Sequence, residues 1–96
     1  NNMAIQRVGN NLMVDFDGAR LTVYPPKMRT LKNMSNMLVD EDKAMDSAVT
    51  CVSEILSNNS DGQKITPDQI LDVMNIVEVA EIMNEVANWT DVIKKK

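Results

Sequence analysis

The dipeptide Asp17-Gly18 constrains this chain more than any other feature. It separates two runs that alternate at period two. Leu12, Val14 and Phe16 alternate with Met13 and Asp15; Ala19, Leu21 and Val23 alternate with Arg20, Thr22 and Tyr24. Asp-Gly accepts the two positive φ angles of a type I′ turn, whose twist matches that of the strands it joins. Two β-rich runs joined by two turn residues predict an antiparallel hairpin. Upstream, Ile5 and Val8 bound a shorter apolar run, and Gly9-Asn10-Asn11 is a turn cluster. The β region therefore spans residues 4–24. A hairpin alone is marginal in water, so its apolar face needs a cover.

The rest of the chain, residues 25–96, supplies helices. Pro25-Pro26 ends the last strand and suits the first turn of a helix. Over Lys27–Val39, Met28, Leu31, Met34 and Leu38 recur at spacings of three and four, a core stripe. Asp40 is a plausible N-cap, with Glu41 and Asp42 at the positive end of the dipole. The helix that follows runs to about Ser57, with Ala44, Met45, Ala48, Val49, Val52, Ile55 and Leu56 on its apolar face. Asn58-Asn59-Ser60-Asp61-Gly62 is a loop. Thr66-Pro67-Asp68-Gln69 reads as a capping box opening a short helix through Ile70, Leu71, Val73 and Met74. Asn75 interrupts or restarts it. Ile76, Val79, Ala80, Met83, Val86 and Ala87 form a longer stripe, widened by Val77 and Ile82, and Lys94-Lys95-Lys96 suits a helix end. The expected fold is α+β and mostly α. A small N-terminal antiparallel hairpin or meander precedes three to four helices, all in one domain over residues 1–96. Asn1 and Asn2 precede Met3, which reads as the native start.

Composition narrows the chemistry. The chain has no His, one Cys and a net charge of −4. The commonest general base and metal ligand is absent, and neither an internal disulfide nor a thiolate cage is available. An acidic chain lacks the basic face that nucleic acid requires. No apolar run is long enough to span a membrane, and no signal peptide is visible. These features predict a cytoplasmic binding domain with no catalytic residues, no cofactor and no metal. Ser57–Asp68 matches part of a calcium loop, with Asn59, Asp61 and Gly62 at the third, fifth and sixth positions. It fails at Ser57, Lys64 and Asp68, and a polar turn is the better reading. Glu78, Glu81 and Glu85 share one helix face, read as solvated. Cys51, without a basic partner, reads as a small buried hydrophobe.

Eight methionines in so short a chain invite a division. Met28, Met34, Met45, Met74 and Met83 fall on helical stripes and are expected inside. Met13 lies opposite Leu12 and Val14, and Met37 lies beside its helix's stripe. These two, with Trp89, Val92 and Ile93, are the candidates for exposed apolar surface that holds a partner.

The order of these elements resembles the tail assembly chaperones of long-tailed bacteriophages and prophages. "ITPDQILDVMNIVEVAEIMNEVANW", Ile65–Trp89, is similar to that family's final pair of helices. "DEDKAMDSAVTCVSEIL", Asp40–Leu56, is similar to its preceding acidic-start helix, and Ile5–Tyr24 to its opening hairpin. The resemblance covers nearly the whole chain but includes no catalytic signature. It implies a non-enzymatic chaperone that coats the tape measure protein in the host cytoplasm, keeps it soluble and helps recruit tail tube protein. Such a chaperone forms a homo-oligomer and is absent from the mature virion. The alternative is a small α-rich adaptor module of phage or bacterial origin with another partner.

Overall fold

In the computed structural model, which describes residues 4–36 and 43–94, three strands precede four helices. The strands are β1 (Ile5–Val8), β2 (Asn11–Phe16) and β3 (Ala19–Val23). The helices are α1 (Met28–Asn36), α2 (Ala44–Ser57), α3 (Pro67–Val73) and α4 (Ile76–Lys94). The sheet is an antiparallel meander in the order β1-β2-β3. Each connection is two residues long. Asp17 and Gly18 have φ of 49° and 80°, the turn that the dipeptide predicts. Gly9 likewise adopts φ 62° between β1 and β2.

Register sorts the side chains. Val14 pairs with Leu21 and Leu12 with Val23, so these residues share one face. All four are essentially inaccessible to water, and Phe16 joins them. The other face carries Met13, Asp15, Arg20 and Thr22. There Arg20 Nε donates to Asp15 Oδ1 at 2.9 Å, a surface pair of small energetic weight. Thr22 Oγ1 lies 3.3 Å from the Met13 sulfur across the same strand pair.

The inner face is covered by α2, whose Val52, Ile55 and Leu56 enter the same core. Ile65, Ile70, Ile82, Val86 and Trp89 complete it, with Leu31 and Met34 of α1 packed at its margin. Thr30 Oγ1 donates to Glu54 Oε1 at 3.1 Å, and Asn33 Nδ2 reaches Glu54 Oε2 at 3.4 Å, tying α1 to α2. The segment 37–42, which holds Met37, Leu38 and the expected Asp40 cap, lies outside the described residues.

The loop after α2 is built around one side chain. Asn59 is buried; its Oδ1 accepts from the backbone of Asp61 and Gln63, and its Nδ2 donates to the carbonyls of Leu56 and Gln63. The loop then joins the sheet. Tyr24 N donates to Asn58 O and Ser60 N to Thr22 O, both at 2.9 Å, beside a Val23–Asn59 bridge. Ser53 and Ser57 hold the far end by donating to the Ile65 carbonyl at 2.6 and 3.0 Å. Ser53 is buried because Ile65 brings its polar backbone to that side of α2.

The expected capping box is present: Thr66 Oγ1 accepts from Gln69 N, and Gln69 Oε1 accepts from Thr66 N. A second box follows, in which Asn75 Oδ1 accepts from Glu78 N and Glu78 Oε1 from Asn75 N, both at 2.9 Å. Asn75 therefore restarts the helix, and Glu78 is a cap as well as a surface acid.

Replacing Asn59 by Ala removes the side-chain partner of the Asp61 and Gln63 N–H groups and of the Leu56 and Gln63 carbonyls. It is expected to lower unfolding free energy by about 2–3 kcal/mol, measurable by urea denaturation. Burial pushes the Cys51 thiol above its ordinary range, with Glu54 adding to the shift. As pH rises, the unfolded chain ionises this thiol first, so the stability contributed by the neutral form is lost through the alkaline range. Urea denaturation at neutral and alkaline pH should show a smaller alkaline loss in Cys51→Ala than in the parent.

Candidate protein-binding surface

A cleft of about 430 Å³ opens between the first half of α2, the end of α3 and the start of α4. Ala44, Met45, Ala48 and Val49 form one wall; Ile70, Leu71, Met74, Ile76 and Val79 form the other. Asn75, with its backbone-capping side chain, is the one polar lining residue. Met45, Leu71 and Ile76 are each more than 60% exposed, and Val77 beside them is 59% exposed. Four large apolar side chains in one neighbourhood are more than the scattered hydrophobes of an ordinary surface. A larger groove between α1 and α2, lined by Asn33, Asn36, Lys43, Asp46, Ser47, Thr50 and Cys51, is polar by comparison.

Local sequence explains why the cleft stays open. Met74 is extended, with φ −102° and ψ 145°, which stops α3 after two turns. The Asn75–Glu78 box then starts α4 in a new direction. Leu71, Val73, Ile76 and Val77 flank this break, and all four are exposed.

This changes the list of binding candidates. Trp89 is a correction: it is 1% exposed and fills the core against the sheet and α2. The α4 stripe that reaches the core is Val79, Ile82, Val86 and Trp89, spaced at three and four, so Trp89 continues a buried line. Among the described residues its indole N–H has no acceptor. Met13 is half-buried on the outer sheet face, away from the cleft. Met37 lies outside the described residues, as do the side chains of Val92 and Ile93, whose backbone belongs to α4. Met28 and Met45, expected inside, are 78% and 65% exposed. Met45 precedes the part of α2 that the sheet covers, and Met28 occupies the first turn of α1. Met34, Met74 and Met83 do pack against the core as expected. Leu71, Ile76 and Val77 were missed because each falls on an apolar stripe. The signal that marks them is their position on either side of Met74-Asn75.

The loop that partly matches a calcium site uses its oxygens internally. Asn59 Oδ1 faces two N–H donors, and Ser57 Oγ bonds both the N–H and the carbonyl of Ile65. Among the described residues no cluster of three or more Cys, Asp or Glu could hold a metal ion. No described helix is long and apolar enough to cross a membrane.

No protein-family model, curated protein or solved structure matches the chain.

With one Trp in the chain, fluorescence reports on this core directly. The native emission should be blue-shifted and poorly quenched by acrylamide, moving to the solvent-exposed value on unfolding. Trp89→Ala should cost about 3–5 kcal/mol, read by chemical denaturation.

Proposed function

We propose that this chain is a non-enzymatic tail assembly chaperone, which holds apolar stretches of a tape measure protein in the host cytoplasm until tail tube protein assembles around it. The observation that carries the reading is the apolar cleft bounded by Met45, Leu71 and Ile76. A long helical client presents repeated apolar side chains, and a cleft between helices receives such a helix by burying its apolar stripe. Methionine suits this work, since a flexible thioether adapts to varied side chains. The net charge of −4 keeps coated complexes from associating further.

The mechanism requires no chemistry beyond burial. Covering the exposed parts of Met45, Leu71, Ile76 and Val77 removes apolar surface from water on both partners. At about 25 cal/mol per Å² this gives each copy a modest affinity, and many copies along one client bind through their sum.

Co-expression with the tape measure protein of the phage or prophage that encodes this chain tests the reading. A soluble complex containing many copies is the expected result. An insoluble tape measure protein with nothing co-eluting would overturn the chaperone function. Leu71→Lys and Ile76→Lys should abolish co-elution while changing unfolding free energy by only about 0.5 kcal/mol, because both side chains already face water.

A further inference from the structure

The two edges of the sheet are treated differently. In the β2–β3 ladder, Arg20, Thr22 and Tyr24 turn their backbone groups away from β2, and the loop 58–60 takes up the Thr22 carbonyl and the Tyr24 N–H at one end of that edge. The β1–β2 ladder follows the same alternation. Asp15 N donates to Ala4 O at 3.0 Å, so Ala4, Gln6 and Val8 face β2 with their backbone groups. Ile5 and Arg7 therefore point both N–H and C=O outward, and among the described residues no strand or loop pairs with them. Ile5–Val8 is short, at four residues, and carries one charge, Arg7, but it has no Pro, no Lys and no bulge to stop pairing.

We infer that this edge is a self-association surface, on which β1 of a second copy pairs antiparallel about Gln6 to make a continuous six-stranded sheet. The inference is independent of the client reading. A second copy fits because the strand complements itself about that point. Ile5 lies opposite Arg7 of the copy and Arg7 opposite its Ile5, and these two pairs satisfy all the outward N–H and C=O groups with four hydrogen bonds. Gln6 lies opposite its own counterpart, where two amides can bond each other. On the outer face Val8, 51% exposed, lies opposite Ala4 of the copy, so apolar meets apolar. Centring on Arg7 instead would oppose two like charges, which is unfavourable. The twofold axis closes the pair, so this contact yields a dimer and not a fibre.

Sedimentation of the full chain over a range of concentrations tests this. A monomer–dimer equilibrium is expected. Arg7→Pro removes an outward N–H and no ladder bond, so its monomer should fold, and its dimer should dissociate about 30-fold more readily for the two hydrogen bonds lost. Gln6→Cys in a Cys51→Ala background should form a disulfide-linked dimer on mild oxidation, whereas Asn10→Cys in the same background should not. A chain that stays monomeric throughout overturns the proposal. So does a dimer in which Gln6→Cys fails to cross-link, whatever Arg7→Pro does.

Discussion

The burial of α2 against the inner face of the sheet is the contact on which the others depend. Val52, Ile55 and Leu56 meet Leu12, Val14, Leu21 and Val23 in a water-free layer. Neither element would hold alone, since a three-stranded meander has one apolar face and α2 is only 14 residues long. The remaining helices are arranged on this pair. Glu54 receives α1, Ser53 and Ser57 grip the backbone at Ile65 just before α3, and α4 packs along α2 through Ile82, Val86 and Trp89. The loop from α2 back to β3 closes the arrangement, because Asn59 shapes it and its backbone extends the sheet.

What the sequence discloses is whatever is decided over a few residues. Asp17-Gly18 determines a turn within four positions. Thr66 and Gln69 form a cap within one helical turn. In both places local chemistry and global fold agree, and the α+β order with its meander is legible. What periodicity cannot disclose is which apolar face meets which. Met28 and Met45 share stripes with Leu31 and Val49, yet they lie where the neighbouring element does not reach. The expected α4 stripe of Ile76, Val79, Ala80, Met83, Val86 and Ala87 leaves Trp89 off it, whereas the line that meets the core is Val79, Ile82, Val86 and Trp89. Asn59 reads as a loop residue or a cation ligand from its neighbours, and only the fold shows its amide satisfying four backbone groups.

The two unfilled surfaces arise from different chemistry. The cleft exposes side chains, and its attraction is apolar and tolerant of the partner's sequence. The β1 edge exposes backbone groups, and its attraction is directional and set by register. The sheet's other edge shows what the chain does when an edge is to be closed: it spends a loop and a buried Asn on it. Among the described residues a loop covers the Thr22–Tyr24 end of β3 and none covers β1, so β1 is the edge left without a cover.

The cleft itself is a consequence of capping. α3 and α4 carry apolar residues continuously from Ile70 to Val79, and nothing in their hydrophobicity requires a break. The break comes from Asn75, a poor residue inside a helix and a good one at its start, reinforced by Glu78 three residues on. Without that box the segment could continue as one helix and Met74 could remain helical. Leu71 and Ile76 would then no longer flank a corner. Two polar side chains, each bonded only to local backbone, thus determine which hydrophobes remain outside the core, and so where a client's apolar helix could be received.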